Sequence, residues 1–414
     1  MNNYNIITLG ASGAGKTVFL ASLFKSLSIQ GEHGFSLEVE DFEKRNLLNK
    51  IYAELISGET WPRGTRGEVT DWVFTCCVKT QDLSTYPACQ FTYFDYAGGL
   101  LTDLDIENEE SIGFDFNKAI KNADAVLAIL DGLKVLKFME DGNLIDRGVL
   151  VWMQRDLPNI LQLVDDCKKN TPVHFIISKW DLVESKHSLL DVRNRLLEKV
   201  PEFKNVVSQR TKADCSVRLI PVSSVGMDFA ILQCDGQMEK VPGAVPCPFQ
   251  VEVPIACVLI DGLKAQIIKL KEEQEEIRRR STKIKPKYGF LGKGGQFLSN
   301  TVLSLPINVI RQFLFAKLLD KYNVNIFILQ KVIDLIKKNV DIVEGKIKKT
   351  QKEAAKKKKE AARETEELRC LQAKSLKKVK DKETALNHTF NCFLHIQQKL
   401  ITDFPASDLG DSEI

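Results

Sequence analysis

The 414-residue chain has ten cysteines but no CxxC pair and no Cys/His cluster, and Cys76-Cys77 is its only adjacent pair. These absences exclude the ligand spacing of a structural zinc site and the paired pattern of a disulfide scaffold. Reduced thiols packing as small hydrophobes in a cytoplasmic protein are expected instead. Long apolar runs are missing too. The longest uncharged stretch, Gly294 to Ile310, is interrupted by Gln296, Ser299, Asn300, Ser304, Pro306 and Asn308, and falls short of the ~20 mostly apolar residues a spanning helix needs. Met1 to Leu9 carries no basic n-region, so secretion is not expected.

What is present is the composition of a globular protein, 44% hydrophobic and 27% charged. At roughly 150 residues per domain the length implies two or three units. The net charge of +3 hides an asymmetry: residues 1–260 carry 26 Lys+Arg against 35 Asp+Glu, residues 261–400 carry 32 against 16, and the last fourteen have four acids and no base. An acidic front and a basic rear imply a boundary near residue 260.

The front half alternates short β-like runs with helical ones, the pattern of an α/β fold: a mixed, mostly parallel sheet with helices on both faces. Strands are predicted at Asn5 to Leu9, Trp72 to Val78, Gln90 to Asp95, Ala125 to Leu130, Val173 to Ser178 and Arg218 to Val222. The second and third are too close for a crossover helix and should form an antiparallel hairpin. A long helical stretch, Asp146 to Lys169, should kink or split at Pro158; a shorter helix spans Leu189 to Lys199. After the prolines at 242, 246, 248 and 254, a closing helix runs from Ile255 to Arg280.

Apolar residues recur at seven-residue steps between Val332 and Leu400, with Val340, Ile347, Ala354, Ala361 and Leu368 in one phase. Lys357, Glu364 and Lys378 spoil the neighbouring phase, so an antiparallel helical hairpin competes with a coiled coil. The expected organisation is an α/β domain over 1–280, a Gly-containing linker over 281–304, a basic α-helical hairpin or coiled-coil domain over 305–402 and an acidic tail over 403–414.

Gly10-Ala11-Ser12-Gly13-Ala14-Gly15-Lys16-Thr17 matches GxxxxGK[ST] without gaps, between a predicted strand and an apolar helix that contains Val18, Phe19, Leu20, Leu23 and Leu27. Gly10, Gly13, Ala14 and Gly15 let the backbone curl around a phosphate, and the helix N-terminus aims its N–H groups at the anion. Lys16 should reach the β- and γ-phosphates, and the Thr17 hydroxyl should ligate Mg²⁺. Nucleotide binding is the firmest inference from the sequence.

Two further strings narrow the nucleotide. Phe94-Asp95-Tyr96-Ala97-Gly98 ends one predicted strand, and Ser178-Lys179-Trp180-Asp181 closes another. A carboxylate such as Asp181 can accept bonds from guanine N1–H and its exocyclic amine, donors that adenine does not present in that arrangement.

With the phosphate loop, these strings resemble P-loop GTPases of the Ras-like and translation-factor class over residues 4–280. The resemblance implies that Asp95 holds Mg²⁺ through water, that Gly98 N–H senses the γ-phosphate, and that Ser178, Lys179 and Asp181 recognise guanine. Ser178 stands where that class has Asn or Thr. Val222-Ser223-Ser224 resembles the short loop whose backbone meets the guanine carbonyl.

Trp61-Pro62-Arg63-Gly64-Thr65-Arg66-Gly67 falls where such GTPases carry their first switch, which makes Thr65, with Thr70 as alternative, the further Mg²⁺ ligand. The string also resembles bacterial double-GTPases of conflict systems, which implies a regulatory role in defence; the plainer reading is a tight turn with a packed Trp. Many Ras-like members place a water-orienting Gln after the DxxG glycine, where this chain has Gly99. Catalysis would then rest on Lys16, Thr65 and Gly98; Arg63 or Arg66 as an internal arginine finger competes with the plainer reading of each as a solvated or phosphate-neighbouring loop arginine, and hydrolysis should be slow or completed by a partner.

Lys356 to Lys359 offer charge to nucleic acid or an anionic membrane. Aromatics are sparse there, and a solvated helix face is the default. The apolar stretch Phe297 to Leu319 reads as a buried seam rather than an interfacial helix. The expected activity is binding of Mg²⁺-GTP and slow hydrolysis coupled to a protein partner or self-association through the rear helices. The competing expectations are a non-hydrolysing scaffold and a P-loop ATPase.

Overall fold

The computed structural model describes residues 4–58, 60–62, 69–96, 116–140, 146–233, 236–265 and 351–410. The chain divides into two compact units, one made of Met1–Asn2 and Leu263–Ile347, the other of Asn3–Gly262 and Lys348–Ile414. Apart from the last three residues of one helix, the elements discussed below belong to the second.

In chain order these are β1 (Tyr4–Leu9), α1 (Lys16–Leu27), β2 (Ser36–Glu38), α2 (Phe42–Ser57), β3 (Val69–Lys79), β4 (Thr85–Tyr96), α3 (Phe116–Asn122), β5 (Ala125–Leu130), α4 (Gly132–Met139), α5 (Arg147–Val151), α6 (Leu157–Asp166), β6 (Val173–Ile177), α7 (Trp180–Val183), α8 (Leu189–Lys199), α9 (Pro201–Lys212), β7 (Val217–Pro221), β8 (Ala230–Leu232) and β9 (Met238–Lys240). A helix over 253–265, α10, then α11 (Gln351–Leu376) and α12 (Lys382–Asp403) complete the set.

Seven strands form one sheet in the order β2-β3-β4-β1-β5-β6-β7, and β8 pairs with β9 alone. The sheet is parallel from β4 to β7, while β3 runs antiparallel to both β2 and β4. The expected hairpin and the mostly parallel sheet are therefore present. The three-residue edge strand β2 is additional.

Alternation along the strands builds two cores. Ile7, Val126, Ala128, Leu130, Phe175 and Ile177 pack with α4, α6, α8 and α9 on one face, while Ile6, Leu127, Ile129 and Ile176, equally buried, point to the other. Because both faces are covered, β5 is buried at every position, as the near-continuous apolar run of a central parallel strand requires.

Pro158 divides the long helix as expected. It sits in the first turn of α6, where a missing N–H costs nothing. The turn before it, Trp152–Asp156, is π-helical, with Leu157 N–H donating to Trp152 O. The Leu189–Lys199 helix has the predicted bounds and starts on a Ser188/Asp191 capping box.

The rear helices form an antiparallel hairpin: the Thr365 and Thr402 hydroxyls meet at 2.9 Å, and Gln398 Nε2 lies 3.4 Å from Glu364 Oε2. The heptad phases therefore run across a turn, in which Lys378 N–H donates to Ser375 O. Helix α12 lies against β3 and β4. Phe393 meets Phe35 edge to face at 5.1 Å, and Leu386, Cys392, Leu394 and Leu400 are buried.

A buried polar cluster fastens this hairpin to the strands. Asp261 of α10 takes Arg218 of β7 through Nε at 2.6 Å and a terminal guanidinium nitrogen at 3.1 Å, and accepts Gln397 Nε2 of α12 at 3.1 Å. His174 Nε2 of β6 lies 3.2 Å away. Burial works against the Arg218 charge, but Asp261 and then Asp408 hold its proton above the ordinary arginine range.

Among the described residues no helix is long and apolar enough to cross a membrane, and the nine cysteines there are free. The lysine run at 356–359 lies on α11. The stretch Phe297 to Leu319 falls outside the described residues.

Candidate functional site

The loop after β1 opens the site. Gly13 and Gly15 have φ of 78° and 86°, a left-handed conformation that glycine adopts without cost, and Gly15 is the N-cap of α1. Gly10 is confined differently, since a Cβ there would lie 3.1 Å from Ile129 O. Lys16 folds back so that Nζ donates to Gly10 O at 2.6 Å and Ala11 O at 3.2 Å. Burial lowers its pKa, with Asp95 opposing the shift. Asp95 ends β4 beside Thr8 of β1 and is 2% exposed.

The ends of β5, β6 and β7 supply the other wall. Lys179 takes the left-handed conformation at φ 50°, and its Nζ donates to Gly13 O at 3.0 Å and Asp131 Oδ1 at 2.8 Å. One side chain thereby joins the phosphate loop to the N-cap of α4. The Ser178 hydroxyl donates to Leu130 O at 3.1 Å. Gly132 permits this approach, because a Cβ there would lie 2.0 Å from Ser178 O.

Asp181 Oδ1 accepts a 2.6 Å bond from the Ser223 hydroxyl, whose oxygen accepts Gly226 N–H at 2.8 Å. Asp181 Oδ2 is buried without a hydrogen-bond partner in the protein. Burial raises the Asp181 pKa, and the Ser223 bond works in the opposite direction. The β7–β8 loop is itself pinned, since Ser223 and Phe249 exchange backbone bonds of 3.1 and 2.7 Å.

Lys16, Thr17, Lys179, Asp181 and Ser224 line a single cavity of about 370 Å³, which Trp61, Tyr96 and Met238 help to close. Its lining thus combines Lys16 and Thr17 at the start of α1 with the Asp181 carboxylate.

No protein-family model matches the chain, and no curated protein does. Solved structures it aligns with include the signal recognition particle receptor SRb-GTP/SRX complex from Chaetomium thermophilum, at 12% identity over 55% of this chain and 93% of that one, with TM-score 0.30. The S. cerevisiae Ski7 GTPase-like domain bound to GDP and inorganic phosphate aligns at 16% identity over 58% and 46%, TM-score 0.30. Methanosarcina barkeri Roco2 RocCORdC bound to GDP aligns at 14% over 54% and 44%, TM-score 0.24. The chain spans less than half of the latter two.

Of the residues singled out in the sequence for a P-loop GTPase, the structure brings Gly13, Gly15, Lys16, Thr17, Ser178, Lys179, Asp181 and Ser224 to one cavity. Asp95 is not among the lining residues; it is buried on β4, near enough to Lys16 to oppose the lowering of its pKa by burial. Ser223 does not line the cavity: its hydroxyl holds Asp181, and its backbone N–H and C=O are exchanged with Phe249. Thr70 pairs with Asp95 across β3 and β4. Arg63, Thr65, Arg66, Gly98 and Gly99 lie outside the described residues.

Four contributors were not anticipated. Asp131, the anchor of Lys179, sits in Asp131-Gly132 at a strand end, a pattern visible in the sequence. Val225 reaches the cavity from the loop after β7 and Met238 from β9, whose proline-rich surroundings hid its strand character. Trp61 is packed, as the plainer reading had it, and also forms cavity wall: its Nε1 donates to Met238 O at 2.7 Å.

Proposed function

We propose that this chain binds Mg²⁺-GTP and hydrolyses it slowly as a regulatory protein. The carrying observation is that the Lys16–Thr17 loop and Asp181, held by Ser223, face one cavity, with Asp181 Oδ2 left as a buried acceptor. Guanine offers N1–H and an exocyclic amine to such a carboxylate, whereas adenine pairs its one donor on that edge with an acceptor. The Lys179 stem, fixed at its Nζ by Gly13 and Asp131, lies where it can cover a base.

The residues fit Mg²⁺. Thr17, on the cavity wall, and Asp95, near enough to Lys16 to act on its pKa, would supply two hard oxygens, which is the protein share this ion takes when phosphates and water complete its shell. When bound, the ion neutralises charge on the β- and γ-phosphate oxygens. Lys16, released from Gly10 O and Ala11 O, is the cation of the chain that meets the same oxygens, and the N–H groups at the start of α1 cradle them. Gly99 has no side chain to orient water, which supports slow turnover.

Coupling to the rear hairpin has a physical route. Gln372 of α11 donates to His33 O at 3.1 Å, and His388 Nε2 of α12 lies 2.8 Å from Gly34 O, so both helices grip the loop that follows α1. Substitution Asp181→Asn tests guanine recognition: GTP binding should be lost and xanthosine-nucleotide binding gained, while unchanged preference sinks it. Single-turnover phosphate release tests the enzyme reading, which fails if bound GTP stays intact over hours.

A further inference from the structure

The β8–β9 hairpin is tied to the cavity by contacts between parts of the chain about 180 residues apart. Trp61 Nε1 donates to Met238 O at 2.7 Å, its ring meets Phe229 edge to face at 6.1 Å, and the Lys240 ammonium lies 5.4 Å from its centroid. That ammonium also takes the carbonyls of Gly58 at 2.7 Å, Thr60 at 2.9 Å and Glu54 at 3.3 Å. Lys240 therefore caps the C-terminal end of α2, where a cation is favoured, and fixes the ring that follows it. Leu55, Val225, Phe229 and Ala230 form a small apolar cluster beneath, with Trp61 and Met238 packed on it. Trp61 and Met238 then present their other sides to the nucleotide cavity.

We infer that the β8–β9 hairpin is a clamp on the bound nucleotide, with Trp61 its positioning residue and Lys240 its latch. The inference rests on the nucleotide reading of the cavity and adds a determinant of retention. Neither side chain carries phosphate or guanine chemistry: Trp61 is a wall whose place is set by Met238 O and Lys240. Loosening the wall should let nucleotide and water exchange faster without altering which base Asp181 accepts. The effect belongs to dissociation rather than association, as is usual when a packed wall and not a steering charge is removed.

The cavity also supplies its own reporter. The chain has four tryptophans; Trp72, Trp152 and Trp180 are 3%, 1% and 1% exposed, while Trp61 is half-buried and faces the cavity. Intrinsic fluorescence should respond to nucleotide through Trp61.

The test measures dissociation of a fluorescent GDP from the full-length protein by competition, for wild type, Trp61→Phe, Lys240→Met and Lys240→Arg, with thermal unfolding of each as a check on folding. Trp61→Phe keeps the ring but removes the bond to Met238 O, a loss of order fivefold to tenfold in equilibrium. The expected result is a dissociation rate raised by about that factor in Trp61→Phe and Lys240→Met. Association and the guanine-to-xanthine preference should be unchanged, with most of the wild-type rate restored in Lys240→Arg. The nucleotide-dependent change in tryptophan emission should vanish in Trp61→Phe alone. Wild-type rates in both folded variants overturn the clamp while leaving the nucleotide reading intact; failure of the wild type to bind labelled GDP overturns both.

Discussion

Ser223→Ala separates the positioning of Asp181 from its charge. The substitution deletes the hydroxyl that donates to Asp181 Oδ1 at 2.6 Å and accepts Gly226 N–H at 2.8 Å, and it leaves the carboxylate in place. A hydrogen bond to a charged group contributes about 1.5–3 kcal/mol, so guanine-nucleotide affinity should fall about 10- to 100-fold at neutral pH. The same change moves the pH dependence. Burial already raises the Asp181 pKa above its ordinary 3.8, and the Ser223 bond holds it down; without that bond it rises further. Guanine needs the ionised form, so affinity is full above the pKa of the nucleotide-free protein and declines about tenfold per pH unit beneath it. The inflection should therefore sit at higher pH in Ser223→Ala than in wild type. Unfolding does not imitate the effect, because a carboxyl with a raised folded-state pKa adds stability to the nucleotide-free protein as pH falls through that value. Titration of labelled GDP at a series of pH values, with Ser223→Thr as the variant that keeps the hydroxyl, is the assay. Superimposable profiles for wild type and Ser223→Ala would refute the assigned role of Ser223.

Two further substitutions probe the frame around the site. Gly132→Ala would put a Cβ 2.0 Å from Ser178 O and 2.8 Å from Lys179 O; overpacking of this kind costs about 1–3 kcal/mol, and nucleotide affinity measured by calorimetry should drop about fivefold or more, an unchanged value ruling out the close approach. Asp261→Asn leaves Arg218 buried beside a neutral amide, so denaturant unfolding should show a loss of about 3–5 kcal/mol; a loss below ~1 kcal/mol would mean the cluster is not an ionic fastening.

The nucleotide half was legible in the sequence because its signals are local. A phosphate loop needs its glycines in consecutive order, and the strands that position Asp95, Ser178 and Val222 announce themselves as apolar runs. Edge strand β2, with three residues, leaves too short a pattern to read. The β8–β9 hairpin hides among prolines, and its purpose is set by Trp61, far off in the chain. Charge is silent at the rear: the lysine run of α11 does not say what the hairpin packs on, whereas the apolar side of α12, with Leu386, Cys392, Phe393 and Leu400, finds its partner only in three dimensions. Periodicity reveals that such a helix has a buried side, and it is silent on which surface covers it.

The fastening around Asp261 gives the chain an order of assembly. On the ribosome Arg218 and Asp261 emerge early, and Gln397, which completes their hydrogen bonding, follows only after 135 further residues have been added. The sheet therefore lacks part of its covering until α12 has been made, and a nascent chain halted in between would present the Phe35 side of its core bare. Nucleotide binding during synthesis would have to wait on α12 or hold that half-built sheet together by itself.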